Sequence, residues 1–525
     1  MNIPSPRELG LPEKFDKWRP GQIEALRWLL TRQNRVKAMC SPTGSGKSVI
    51  TVGYALITGE PTCFVTDSRG LQDQLMHDFE SVGMVDIRGR RNYTCAFKDD
   101  PDYTCESGYQ AGCPYKGTLA CPSSNAEMRA STSRLVVTNY DKWTAAKKYG
   151  QGMQHFTQVV FDEGHEAPNA LARAMQVVIN HREREQHIHM DPPANPDQME
   201  AWKVWATDAR EIVGELLAAA LERIKGVSDP RPSFVRHALH MRNLYRRLGT
   251  LATCRPDSWV VEELEKGFQF DPVRPGRYAE SSLLLRVPNV LVVSATLRPK
   301  TLYMIGQGKD TFDFREFDSE FDPKRNPIYH VPTMRVDKRA ADLAMLWVRL
   351  DQIAAKRRDR KGLVHTISYG RRDEIITRSR WADSMLINER GDAPTEMVEL
   401  FKASDAGAIL VSPSVSQGHD FPGPDCEWQF ICKVPFPPPS KVLKARTQDD
   451  SEYPYYLAMQ KLVQMCGRAM RSRDDQCENF IADDHIEWFL PRYGHLAPKS
   501  FHAFFRRVEV LPQPPPALPR RREGN

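Results

Sequence analysis

The stretch that most narrows what this chain can fold into is Ser41-Pro42-Thr43-Gly44-Ser45-Gly46-Lys47-Ser48. A short apolar run, Val36 to Cys40, precedes it, and Val49 to Leu56 follows it. That order reads as buried strand, glycine-rich turn and helix. The glycines let the backbone close around a phosphate, so that several N–H groups and the helix N-terminus face the anion. Lys47 then reaches the β- and γ-phosphates, and the Ser48 hydroxyl is placed to ligate Mg²⁺. Ser41 fills the first slot of the G-x-x-x-x-G-K-[ST] pattern, where glycine is usual. A glycine/serine turn with a chance lysine would lack the flanking strand and helix. Residues 41–48 are read as a nucleotide-binding loop.

The 525 residues are enough for roughly three to five domains. Hydrophobic residues make up 41% of the chain, and no run approaches the ~20 apolar residues of a membrane span. Met1 to Arg19 lacks the apolar centre of a secretion signal, so a cytoplasmic protein is expected. The net charge of +6 is mild, and any nucleic-acid surface has to come from local clustering. Eleven cysteines in such a chain argue against a disulfide framework and raise metal binding. The proline-rich tail Pro512 to Arg522 is expected to be disordered.

Along the chain, Trp18-Arg19-Pro20-Gly21-Gln22 opens an amphipathic helix. Thr62 to Asp67 forms a strand, with Asp67-Ser68-Arg69 at its carboxyl end, where open α/β sheets bind ligands. From Arg88 to Asn125 the α/β rhythm breaks into a polar segment holding Cys95, Cys105, Cys113 and Cys121. Intervening gaps of nine, seven and seven residues do not match paired C-x-x-C zinc ribbons. Four thiolates could still hold zinc or an iron–sulfur cluster. Rhythm resumes at Arg134 to Tyr140.

Gln158 to Phe161 leads into Asp162-Glu163-Gly164-His165. Two carboxylates ending a buried strand call for a cation. Asp162 is expected to partner Mg²⁺, and Glu163 to orient and activate the attacking water. Residues 166 to about 285 form a second, helical insertion, with long amphipathic stretches at 198–225 and 234–251. The second stretch carries Arg236, His237, His240, Arg242, Arg246 and Arg247, either a solvated face or a phosphate contact. His181, His187 and His189 are read as exposed. Val290 to Leu297, with Ser294-Ala295-Thr296, returns to the first sheet. A second α/β domain follows, with strands at 362–368, 408–412 and 428–432 and a loop holding Gly418 and Asp420. Gln464, Gly467, Arg468 and Arg471 fit Q-x-x-G-R-x-x-R late on a helix. Arg468 and Arg471 would share one helical face, and a forked guanidinium suits a γ-phosphate.

With these motifs assembled, the chain resembles the iron–sulfur superfamily 2 helicases of the XPD/DinG group, over about Trp18 to Asp484. The likeness is carried by Gly89 to Cys95, Cys121-Pro122, Val136 to Tyr140, Asp-Glu-Gly-His, Phe421-Pro422-Gly423 and Val434-Pro435-Phe436. It implies an α/β fold of two RecA-like motor domains with cysteine-rich and helical arch insertions in the first. By resemblance, Gln22 senses adenine beside the ATP-binding residues Ser41 to Ser48, Gly418 and Asp420. His165, Ser294, Ala295 and Thr296 couple nucleotide state to movement, while Thr66, Ser68, Arg69, Ser368 and Tyr369 contact nucleic acid. The four cysteines would hold a 4Fe–4S cluster, with zinc as the alternative. Translocation on single-stranded DNA would run 5′ to 3′.

The expected plan places the first motor domain at 1–87, 126–165 and 286–330, the last piece including a linker. The cysteine insertion is 88–125, the arch 166–285, the second motor domain 331–510 and the tail 511–525. The implied activity is ATP-dependent DNA unwinding in repair, recombination or replication by a monomer acting on single strands and duplex junctions, in a prokaryotic or phage-infected cell. An RNA helicase, a translocase without unwinding, and a binding protein with vestigial ATPase are the alternatives.

Overall fold

The computed structural model describes residues 2–98, 100, 102–149, 155–225, 232–319, 322–336, 343–387, 395–413, 415, 421–470 and 474–518. Two seven-stranded parallel sheets organise them. The first is built from β1 (Val36–Cys40), β2 (Thr62–Thr66), β3 (Met84–Asp86), β4 (Leu135–Asn139) and β5 (Gln158–Phe161), joined later by β9 (Asn289–Ser294) and β10 (Phe312–Glu316). Their order across the sheet is β10-β1-β9-β5-β2-β4-β3. Alternate residues along the strands feed separate cores: Ala38, Val65 and Val292 on one face, Met39, Phe64 and Val293 on the other. Helices cover both faces, which is why the central strands read as unbroken apolar runs.

Between β5 and β9 lies the second insertion. It contains the three-stranded antiparallel sheet β6-β8-β7, formed by β6 (Val177–Asn180), β7 (Trp259–Leu264) and β8 (Gly267–Pro272). The expected helical insertion thus also carries a sheet, which the sequence reading did not include. Its two long helices, Met199–Glu222 and Pro232–Ala252, pack on that sheet. Trp202, Ala206, Ala209 and Val213 recur at helical spacing and are fully buried against Met241, Leu244 and Leu248. Arg247 faces inward and pairs with the Glu183 carboxylate. His187, expected to be exposed, packs its ring 5.2 Å from that of His240.

The second sheet comprises β11 (Ile328–Met334), β12 (Gly362–His365), β13 (Met385–Leu386), β14 (Ile409–Ser412), β15 (Trp428–Ile431), β16 (Glu478–Asp483) and β17 (Phe505–Arg507). Its order is β13-β14-β12-β15-β16-β11-β17. Because β11 already pairs with β16, the second lobe starts a few residues before position 331. Residues 512–518, expected to be disordered, lie along this lobe. Arg357 donates to the Pro512 carbonyl, Arg360 to that of Pro515, and the Leu518 N–H donates to Glu427.

The second insertion also touches the second lobe. Helix Lys441–Asp449 of that lobe lies against β7: Arg446 donates to the Pro272 carbonyl at 3.0 Å, Arg274 pairs with Asp449, and Lys441 with Asp197.

Candidate functional site

At the carboxyl end of β1 the chain turns through Gly44 and Gly46, both with left-handed φ (+76° and +79°), before helix Lys47–Thr58 begins. Gly46 is doubly required, since a Cβ there would lie 2.4 Å from Gln22 Nε2. Gln22 is thereby wedged beside the loop: its amide donates to the Ser45 carbonyl at 3.1 Å and accepts from the Arg19 N–H. Arg19 in turn donates to the Gly44 carbonyl. Ser41, the departure from the glycine pattern, makes a 2.8 Å hydrogen bond to the Ser45 hydroxyl. Its extra atoms therefore brace the loop from within. Pro42, Thr43 and Ser48 complete the turn, and Lys47 Nζ donates to the Pro42 carbonyl.

Asp162 and Glu163 follow β5, two strands away across the sheet. Glu163 sits at φ +46°, a left-handed conformation costly for a residue with a side chain. That turn aims its carboxylate at the Ser294 hydroxyl, which donates to it at 3.2 Å. Gly164 must be glycine here: a Cβ would fall 2.3 Å from Val292 Cγ1 and 3.2 Å from the Val293 nitrogen. This is the local reason for Asp-Glu-Gly-His. His165 lies between Ser294 Oγ, 2.7 Å from Nδ1, and the Glu163 and Glu166 carboxylates. Thr296 joins through its N–H, which donates to Ser294 Oγ, while Ala295 follows in the same turn.

The electrostatics follow from this crowding. Burial would strip the proton from His165, but Glu163 and Glu166 outweigh it and raise the imidazole to about 9. Burial opposes ionisation of Glu163 as well, yet His165, Lys47 and Arg468 hold its carboxyl well below the usual range. Asp162 goes the other way, pushed up to about 6 by burial and by the Glu163 charge, with Lys47 opposing. A divalent cation beside Asp162 would relieve that penalty, so the donor set fits Mg²⁺.

The second lobe closes the site. Gln464, near the end of helix Tyr453–Cys466, meets His165 Nε2 with its side-chain amide. The helix stops at Cys466 and Gly467 caps it, so Arg468 sits in the following turn and not on a helical face, correcting the sequence expectation. Releasing Arg468 from the helix brings its charge within influence of Glu163. Arg471, Gly418 and Asp420 lie outside the described residues. A cavity of about 290 Å³ results, lined by Thr43, Glu163, His165, Thr296, Gln464 and Arg468 among others.

Of the expected nucleic-acid contacts, Thr66 is fully buried, its hydroxyl donating to the Ser68 carbonyl. Ser68 caps helix Arg69–Phe79, and Arg69 is exposed. In the second lobe Ser368 caps helix Tyr369–Arg378. The preceding Ile367 has φ +66°, a conformation rare for a β-branched residue. Sequence patterns gave no sign of that strain, which sits at a strand's carboxyl end as functional strain often does.

The four insertion cysteines come together. Each is buried, and Cys95 Sγ is 3.9 Å from Cys113 Sγ. An antiparallel bridge pairs Thr94 with Thr104, so that the Cys95 N–H donates to the Tyr103 carbonyl and the Cys105 N–H to the Tyr93 carbonyl, and Cys121 stands at the N-terminus of helix Pro122–Thr132. A Cβ on Gly108 would lie 2.3 Å from Cys95 Sγ, so the packet has room only because that residue is glycine. Among the described residues no three potential ligand side chains form a finished site for a single ion. Four buried thiols in one packet are a donor set that zinc or an iron–sulfur cluster could take.

Comparison with known proteins agrees with this geometry. The helicase C-terminal domain family matches residues 352–504, and the type III restriction enzyme res subunit family matches 15–190. A solved XPD helicase superposes with a TM-score of 0.65 at 16% identity, covering 94% of this chain and 100% of that one. S. tokodaii Xpd4 superposes at 0.58 and 13%, covering 93% and 100%, and an apo XPD at 0.58 and 14%, covering 93% and 99%. A search of curated proteins found no match. Two RecA-like lobes closing a P-loop on Asp-Glu-Gly-His define an ATP-dependent helicase, a hydrolase. Within that class its fold is similar to that of the solved XPD helicases.

Proposed function

We propose that the chain is a DNA helicase that moves 5′ to 3′ on single-stranded DNA and separates duplexes at junctions during repair, recombination or replication. The observation that carries the ATP-driven part is the cleft itself, where Gln464 and Arg468 of one lobe meet Glu163 and His165 of the other. In this reading Lys47 neutralises phosphate charge, and Ser48 and Asp162 would hold Mg²⁺, which when bound would supply positive charge for the transferred group. Glu163, kept ionised by its surroundings, orients and deprotonates the attacking water. Arg468 approaches the γ-phosphate from the second lobe, so hydrolysis is tied to closure. His165 and Ser294 join Glu163 to Gln464 and relay that closure.

Cys95, Cys105, Cys113 and Cys121 would hold a 4Fe–4S cluster, which when bound cross-links four separate turns of the first insertion. The XPD likeness supports DNA over RNA as the track. The test is unwinding of matched duplexes carrying 5′ or 3′ single-stranded tails, with ATPase measured alongside on single-stranded DNA and on RNA. Unwinding from the 5′ tail with DNA-stimulated ATPase is expected. Unwinding from the 3′ tail alone overturns the polarity, and stimulation by RNA alone overturns the substrate.

A further inference from the structure

The second insertion holds a group of histidines that nucleotide chemistry does not use. His187 belongs to the π-helical turn Arg184–Ile188, and the next residue, His189, closes it at φ +56°. Such turns are rare and concentrate at functional positions. A non-glycine left-handed residue is likewise retained where its surroundings demand it. The turn carries the His187 ring to the helix Pro232–Ala252, on which His237 and His240 sit three residues apart and so share a face. Ring centroids are 5.2 Å apart for His187 and His240 and 6.0 Å for His187 and His237.

That spacing has a chemical meaning. A Zn–N bond of about 2.0–2.1 Å sets two imidazole centroids on a tetrahedral ion about 5 Å apart. Metal-bound imidazoles commonly donate their second N–H to a carboxylate. Glu183 lies 3.7 Å from His240 Nε2 and is fixed in place by Arg247. All three rings are half-buried, open enough to turn and to admit an ion. Among the described residues no three His, Cys, Asp or Glu side chains are placed to hold a metal ion as they stand, so ligation here takes rotation of the rings.

We propose that His187, His237 and His240 bind one divalent transition ion of the zinc type, with water completing the coordination, pinning the π-turn to the long helix of the insertion. An all-imidazole set suits Zn²⁺, Co²⁺ or Ni²⁺, whereas the cysteine packet suits thiophilic iron–sulfur chemistry.

The test is titration of the full-length protein, its cysteine packet first reconstituted with iron and sulfide, with Co²⁺ alone near neutral pH. About one equivalent should bind, with weak visible bands and no thiolate-to-cobalt charge transfer. His187→Ala and His240→Ala, on separate elements, should each weaken binding at least about tenfold and abolish the metal-induced rise in Tm. Circular dichroism and an unchanged Tm without metal establish that each variant is folded; His237→Asn replaces one that is not. Unaltered affinity in the folded histidine variants, or a bound cobalt spectrum dominated by thiolate charge transfer, overturns the site.

Discussion

Gly164 shows how much a single hydrogen can decide. Its Cα faces the fully buried Val292, and an added methyl would lie 2.3 Å from a valine carbon. Gly164→Ala should therefore destabilise the first lobe by about 1–3 kcal/mol and lower kcat by tilting Glu163. Val292→Ala in the same chain should restore part of the ATPase rate, and its failure to do so would detach the effect from this contact. His165 supplies a pH signature. Its folded pKa of about 9 lies above the ordinary value of 6.5, so its stabilising contribution is complete below about 6.5 and is lost as pH rises through about 9. Denaturant midpoints across pH 6–10 should fall along that course in the parent and less steeply in His165→Gln. The P-loop, Asp-Glu-Gly-His and Ser-Ala-Thr were legible in the sequence because each is a local strand-end pattern. His187 was not, because its partners His237 and His240 are about fifty residues away, and no periodicity encodes a contact across that distance.

At the scale of elements, β16 was the hardest strand to read. Glu478, Asn479 and Asp483 look like loop residues, yet the whole strand is buried. Each polar group is matched: Glu478 by a two-pronged bond from Arg357, Asn479 by Gln429 and Asn326, and Asp483 by the N–H groups of Val336 and Val434. Arg357→Met leaves the Glu478 carboxylate buried without its cation and should cost about 3–5 kcal/mol. A second-lobe unfolding transition unmoved in urea would contradict this. The sheet of the second insertion was hidden for another reason. β7 and β8 are joined by Glu265-Lys266 instead of the Asn-Gly or Asp-Gly that announces a tight hairpin. Gly267, at φ +154° and placed so that a Cβ would lie 2.3 Å from the Ile179 carbonyl oxygen, carries the irregularity instead.

Across the whole molecule, the two α/β lobes were readable because motifs punctuate the chain, but contacts between distant segments were not. The link between helix Lys441–Asp449 and the β7–β8 sheet is one of these. Asp449→Ala removes a largely solvent-screened ion pair and should leave stability nearly unchanged. Under the proposed function it should nevertheless lower duplex unwinding more than single-strand-stimulated ATPase, and equal losses in both assays would argue against the link. Its mechanical consequence is that of a crank. The insertion is hinged to the first lobe by its own chain and strapped to the second by Arg274, Arg446 and Lys441. Its 24-residue helix is about 36 Å long, so a tilt of ~10° at the base sweeps the far end through roughly 6 Å. A small rotation at the cleft becomes a long stroke at the rim.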